Sequence, residues 1–300
     1  MKKTGILRLL NFFRLPKMKC IKIVGYISII ITYLSFGVGL YFFVYQLAFR
    51  WAQTNYLLYY PTIDVSVRIG MAMWSHLSAS LGDPGFVLPN INDDSESKDI
   101  CKKCSAKRPS RTHHCSACNH CVEQMDHHCP WINNCVGVKN RKAFLLFLAY
   151  TCSAAIECLI LVVVRMATCR SISEAVMLML LRLALGTEAV DQLLAKGSDE
   201  DSKYIQTEPT CNLTLDYTIA GIIGTLLAFL FTIFIALIAS DQIYAILHNQ
   251  NHVETLKGMK GPQRTAREAI IETFGMEPSM WWLVPVDWRF KPLLVEKKIK

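Results

Sequence analysis

Residues 23–49, IVGYISIIITYLSFGVGLYFFVYQLAF, run for 27 positions without a charged side chain. An α-helix needs about 20 apolar residues to cross the hydrocarbon core of a bilayer, where each backbone N–H and C=O must be satisfied within the segment. The run excludes a purely soluble fold. Two more such runs follow: 144–164, with one acid at Glu157, and the uncharged 217–240. A content of 52% hydrophobic residues over 300 positions fits an integral membrane protein.

Residues 60–81 are weaker, because Asp64 and Arg68 lie inside them, four apart and so able to pair across one helical turn. The distribution of charge bears on how they are read. Seven basic residues precede position 23, nine lie within 98–142 and nine within 257–300, whereas 166–215 carries four bases against seven acids. The positive-inside rule places the N-terminus, the 98–142 segment and the C-terminus in the cytosol. Each flank of that segment then needs an even number of crossings, so 60–81 is expected to cross; a re-entrant or interfacial segment is the other reading.

The expected fold class is an all-α polytopic membrane protein with four transmembrane helices. Residues 1–22 form a cytosolic basic N-terminus, 23–81 hold spans one and two, and 82–142 form a small cytosolic cysteine-rich zinc domain. Residues 143–247 hold spans three and four around a lumenal loop at 166–215, and 248–300 form a cytosolic tail. No cleaved signal peptide is expected, since the first 19 residues are basic and no long apolar core precedes them. In the lumenal loop, 175–185 is too short to span and carries Arg182, which suits a helix lying on the membrane. Asn212-Leu213-Thr214 is a glycosylation sequon, and Cys169 and Cys211 bracket the loop either as a disulfide or as two free thiols.

Seven of the twelve cysteines and five of the eight histidines fall within 101–135, CKKCSAKRPSRTHHCSACNHCVEQMDHHCPWINNC. Cys101/Cys104, Cys115/Cys118 and Cys118/Cys121 are CxxC pairs, a spacing that lets one turn aim two thiolates at one ion. In a cytosolic segment this points to zinc rather than disulfides. The segment is short and polar with no apolar core of its own, so metal is expected to supply its folding energy. Two closed tetrahedral sites use eight of the twelve candidate ligands. Among the spares, His113 and His120 read as surface residues. Asp126-His127-His128-Cys129 does not read that way. A thiolate is a nucleophile, a histidine beside it takes its proton, and an acid orients that histidine. On the residues alone, catalysis and a purely structural cluster both stand.

The full spacing is C-x2-C-x9-H-C-x2-C-x2-C-x4-D-H-H-C-x5-C-x4-N-x3-F, met by Cys101, Cys104, His114, Cys115, Cys118, Cys121, Asp126, His127, His128, Cys129, Cys135, Asn140 and Phe144, and extended by Pro130 and Trp131. In this the chain resembles the DHHC protein S-acyltransferases (palmitoyltransferases), over about residues 20–260. Asp83-Pro84-Gly85 is similar to a motif that follows their second span. The resemblance implies two structural Zn2+ ions, one on Cys101, Cys104, His114 and Cys121, the other on Cys115, Cys118, His128 and Cys135. It leaves Asp126, His127 and Cys129 as the catalytic set, with Cys129 the nucleophile, His127 the general base and Asp126 its orienting acid.

The implied reaction moves a palmitoyl or similar long-chain acyl group from acyl-CoA to membrane-proximal protein cysteines through a Cys129 thioester. The implied partners are acyl-CoA, protein substrates and the lipid bilayer, without nucleic acid, in the Golgi or endoplasmic reticulum rather than the plasma membrane. Trp131, Lys139, Arg141, Lys142 and Ala154 are expected at the acyl-CoA. The three bases either meet CoA phosphates or serve as ordinary positive-inside flanks. Ala154 lies about 18 Å along the third span from Lys142, where a small side chain leaves room for palmitoyl or longer chains. Two positions depart from the family pattern. The stretch Asn251-His252-Val253-Glu254 keeps only the glutamate of a TTxE motif, and Ala269 stands where an asparagine precedes Phe274-Gly275. The rival class is a non-catalytic, zinc-stabilised membrane adaptor. A transporter is not supported, because no inverted repeat is visible.

Overall fold

The computed structural model describes residues 17–41, 59–87, 99–168, 177, 180–195, 215–259, 261–275 and 278–286. The basic residues before position 17, Cys169, Cys211, the Asn212 sequon and the chain beyond 286 lie outside the described residues. In chain order the elements are helices α1 (Lys17–Gly39) and α2 (Tyr59–Leu81), then strands β1 (Phe86–Val87), β2 (His113–Cys115), β3 (His120–Val122), β4 (His127–Cys129) and β5 (Asn134–Val136). Helices α3 (Arg141–Thr168), α4 (Thr187–Ala195), α5 (Leu215–Leu247), α6 (His252–Leu256) and α7 (Ala266–Phe274) follow, and then a 3-10 turn at Met280–Leu283.

The chain is mostly helical. Among the described residues, three helical stretches are long and apolar enough to cross a membrane: Ile21–Gly39, Arg141–Val164 and Ile222–Leu247. Several hydroxyls inside them return to the carbonyl four residues back, as Ser28 does to Val24 and Thr32 to Ser28, which satisfies them within the helix.

The chain divides into two compact units, one of residues 1–37, 69–151 and 236–300, the other of 38–68 and 152–235. In the second, the expected Asp64–Arg68 pair forms at 2.8 Å within α2, and Glu157 of α3 lies 3.2 Å from the same guanidinium. Glu157 lies in one of the three apolar stretches, where an acid is tolerated when it meets a base in this way. Ala154 belongs to this unit and is buried.

The first unit holds the cysteine-rich module, and here the all-α expectation is corrected. The module is made of short antiparallel strands: β2 and β3 form a hairpin flanked by β1, and β4 pairs with β5. The cause lies in the CxxC turns. Cys101/Cys104 and Cys115/Cys118 are each followed by a residue in the left-handed region, Ser105 at φ +56° and Asn119 at φ +59°, whose N–H returns to the first cysteine's carbonyl. Such tight reversals lead into hairpins rather than helices. The module also has a small apolar cluster, Val122, Met125 and Ala117 with Phe86 packed against them. The expectation of no core is corrected to that extent.

The end of α2 is capped by this module. Asn134 Nδ2 donates to the carbonyls of Ala79, Ser80 and Gly82 at 2.9–3.2 Å, and Asn140 Nδ2 donates to those of Ala79 and Cys135. The carbonyls of Ala79, Ser80 and Gly82 lie in or just after the last turn of α2, where carbonyls lack a partner inside the helix. Two glycines allow close approach. A Cβ at Gly25 of α1 would stand 2.0 Å from Asn133 Oδ1, and one at Gly137 would stand 2.3 Å from the Pro84 carbonyl.

Candidate active site

The strand register explains how adjacent histidines take different roles. In the first hairpin His114 pairs with Cys121, and in the second His128 pairs with Cys135. Each hairpin thus sets a histidine and a cysteine opposite each other on one face. Cys101 and Cys104 complete the first group, and Cys115 and Cys118 the second, with the ligand atoms of each group within 4.8 Å of one another. In the second group His128 Nδ1 lies 3.8, 3.5 and 3.7 Å from the sulfurs of Cys115, Cys118 and Cys135. A tetrahedral zinc with bonds of about 2.3 Å to sulfur requires ligand separations of about 3.6–3.8 Å. Both groups fit such an ion, and their three thiolates and one imidazole are the donors of a closed structural site. Of the two spare histidines, His120 is exposed as expected, whereas His113 is corrected to buried, with its Nδ1 accepting from Lys257 Nζ at 3.0 Å.

Side chains alternate along a strand, so in β4 the residues on either side of His128 face away from its metal group. Those residues are His127 and Cys129. Two positions apart, they share one face, and Cys129 is near enough to act on the titration of His127. Cys129 is buried, with 4% of its surface exposed. The His127 ring meets Phe144 of α3 edge-on at 5.7 Å.

Asp126 is buried immediately before β4. Its Oδ2 accepts from His127 Nδ1 at 2.7 Å and from Gln242 Nε2 of α5 at 2.8 Å, and its Oδ1 accepts from the His252 N–H at 2.8 Å. Burial disfavours the carboxylate, but the His127 contact, Arg141 and the His252 N–H outweigh it and hold Asp126 well below the usual carboxylate range. Burial likewise works against a charged imidazole. The bond to Asp126 and the nearby Cys129 prevail and raise His127 to about 9. With Nδ1 bonded to Asp126, Nε2 is left to exchange a proton with the thiol.

The loop beyond Cys129 is fastened to α2. His76 Nε2 donates to the Trp131 carbonyl at 3.0 Å, and Ser80 Oγ donates to the Ile132 carbonyl at 2.7 Å. The expected phosphate-facing role does not suit two of the three bases. Lys142 is buried and donates to the carbonyls of Trp281 and Val286, and Arg141 is buried and donates to the Gln124 carbonyl and Asn251 Oδ1. Both are engaged in holding the C-terminal segment. Lys139 is partly exposed and pairs with Asp83 at 2.8 Å.

The altered TTxE stretch remains structurally connected. Arg111 grips Glu254 with two bonds of 2.6 and 2.8 Å and also donates to Asn249 Oδ1 and to its carbonyl. Asn251 accepts from Arg141 and donates to the Gln124 carbonyl. Gln242 and the His252 N–H did not emerge from the sequence. A single glutamine beside Asp241 at the end of an apolar run reads as an interfacial polar residue, and a backbone donor carries no residue signature.

The hairpin thus carries His127 and Cys129 on one face, with Asp126 bonded to His127, and on the other a Cys3His group that could hold a metal ion. The DHHC palmitoyltransferase family matches residues 94–259, and the chain belongs to that family. It is 28% identical over 237 residues to palmitoyltransferase ZDHHC7 of Rattus norvegicus, covering 74% of this chain and 66% of the relative. It is 41% identical over 109 residues to probable protein S-acyltransferase 14 of Arabidopsis thaliana, covering 28% of this chain and 36% of the relative. Over 52 residues, 17% of this chain and 8% of the relative, it is 67% identical to palmitoyltransferase pfa3 of Neurospora crassa. The chain thus spans just under two thirds of the length of the rat relative, 66%, and less of the other two.

Proposed function

We propose that this chain is a protein S-acyltransferase that moves a long-chain acyl group, palmitoyl or similar, from acyl-CoA to cysteine thiols of membrane-associated proteins. The observation that carries the reading is the placement of His127 and Cys129 on one face of β4, with Asp126 bonded to His127 Nδ1 at 2.7 Å. Cys129 gives its proton to His127 and attacks the acyl-CoA thioester carbonyl. The bond to the CoA sulfur breaks, CoA leaves as the thiol with the proton from His127, and the acyl group remains on Cys129. A substrate cysteine then gives its proton to His127 and attacks the Cys129 thioester carbonyl; the bond to Cys129 Sγ breaks, Cys129 leaves as the thiol with that proton, and the acyl group remains on the substrate cysteine. Asp126 orients His127 and balances its cation throughout.

Two zincs, on Cys101, Cys104, His114 and Cys121 and on Cys115, Cys118, His128 and Cys135, would brace the hairpins without taking part in the chemistry. Helix α2 is taken as a fourth span, supported by the charge distribution that places both termini and the module in the cytosol. The membrane of the Golgi or endoplasmic reticulum is the proposed location. Of the expected acyl-CoA contacts, Trp131, Lys139 and Ala154 are retained, Ala154 for the acyl chain.

Labelling cells with a clickable fatty acid tests the reading. Hydroxylamine-sensitive label is expected on the wild type and on Cys20→Ser, and is expected to vanish in Cys129→Ser. Persistence of the label in Cys129→Ser would remove Cys129 as the acyl carrier.

A further inference from the structure

We propose that Gln242 is a positioning residue for the site, fixing the rotation of the Asp126 carboxylate so that one lone pair of Oδ2 stays aimed at His127. Gln242 lies on α5, five residues before its end, and is 2% exposed. Its Nε2 donates at 2.8 Å to Oδ2, the oxygen that also accepts from His127 Nδ1 at 2.7 Å.

A carboxylate oxygen has two in-plane lone-pair directions. Here His127 takes one and Gln242 the other. The torsion that turns a carboxylate about its Cβ–Cγ bond is broad, so partners rather than intrinsic preference set its angle. The His252 N–H holds Oδ1 from a short helix, and Gln242 holds Oδ2 from a 33-residue one. With both in place the carboxylate plane is pinned at each oxygen. Without Gln242, Oδ2 keeps only His127, and the acid and base turn together. The orientation of His127 Nε2 toward Cys129 then loses its reference to the helices. The bland reading, a buried amide that merely satisfies itself, predicts an effect on folding alone.

The inference rests on the transferase reading, and its test includes a readout that needs no turnover. In the purified full-length chain, alkylation of Cys129 by iodoacetamide is followed by mass spectrometry of its peptide, alongside acyl-enzyme formation from palmitoyl-CoA. Gln242→Met, which matches the length but has no donor, and Gln242→Glu are each expected to slow both about ten-fold or more. The KM for palmitoyl-CoA should stay within about two-fold and both zincs should be retained, as expected of a residue acting on the reacting groups and not on binding. In an Asp126→Ala background Gln242→Met should change neither rate further, because it acts through Asp126.

Should Gln242→Met fail to retain zinc, Gln242→Asn, one carbon too short to reach Oδ2, carries the same expectation. An unchanged alkylation rate in Gln242→Met overturns the inference, and so does an equal further loss in the Asp126→Ala background. If the wild type forms no acyl-enzyme, the transferase reading fails, and slowed alkylation in Gln242→Met still supports the positioning role.

Discussion

Replacing Asp126 with asparagine preserves the shape of the side chain and removes its charge. Three donors point at this carboxylate: His127 Nδ1 at 2.7 Å, Gln242 Nε2 at 2.8 Å and the His252 N–H at 2.8 Å. Asparagine offers one acceptor oxygen and one NH2 group, so at least one of those donors comes to face another donor. The magnitude follows from His127, whose pKa rises from an ordinary 6.5 to about 9 despite its burial, with Asp126 the largest source of the rise. That rise corresponds to about 3 kcal/mol in favour of the imidazolium. Losing most of it lowers the rate of acyl-enzyme formation by up to about 100-fold.

The sign with pH is also set. A histidine with a raised pKa lends the fold stability that is fully present below the ordinary 6.5 and is lost as pH climbs through about 9. The imidazolium that protonates the leaving CoA sulfur persists over the same range. Acylation by the wild type should therefore hold up to about pH 9, whereas in Asp126→Asn burial acts unopposed and the alkaline limb moves down toward or below neutrality. Rapid-quench acylation with labelled palmitoyl-CoA across pH measures both effects. A variant within about two-fold of the wild type, with its alkaline limb in place, would refute the reasoning.

Other expectations concern the supports of the site. His128→Ala should reduce bound zinc from two to one per chain by metal analysis and unfold the second hairpin, because its Nδ1 faces three sulfurs at once. Arg111→Ala strands the buried Glu254 carboxylate and should destabilise the segment after α5 by about 3–5 kcal/mol, read as early proteolysis there. Asn251→Thr brings the chain nearer to the TTxE pattern, yet it should lower acylation, because a hydroxyl cannot span Arg141 and the Gln124 carbonyl as the amide does. Ala154→Phe should shift acyl-CoA preference toward shorter chains in a competition assay; an unchanged profile would remove Ala154 from the acyl path.

Much of this site was legible in the sequence because its ligands sit at fixed short spacings. Cys101, Cys104, Cys115 and Cys118 declare themselves through CxxC, and family spacing grouped them with their partners as the structure does. The division between His127 and His128 has a physical cause that spacing does not express, namely the alternation of a three-residue strand too short to show a period. Lys142 and Arg141 misled because a basic residue at a membrane edge has the same sequence appearance whether it faces solvent or holds a tail. Here the carbonyls of Trp281 and Val286, some 140 positions away, decide. His113 misled similarly, since its partner is Lys257 in the distant tail. Contacts this remote in sequence, Gln242 with Asp126 among them, have no local signature.

The central claim is that Cys129 carries the acyl group while the zinc ligands do not. Mixing the purified chain with a stoichiometric amount of palmitoyl-CoA and digesting it for mass spectrometry tests this directly. One palmitoyl group per chain should appear on the Cys129 peptide, in step with free CoA, and be removed by neutral hydroxylamine. Acyl groups on Cys115, Cys118 or Cys135 instead, or CoA release undiminished in Cys129→Ser, would contradict the account.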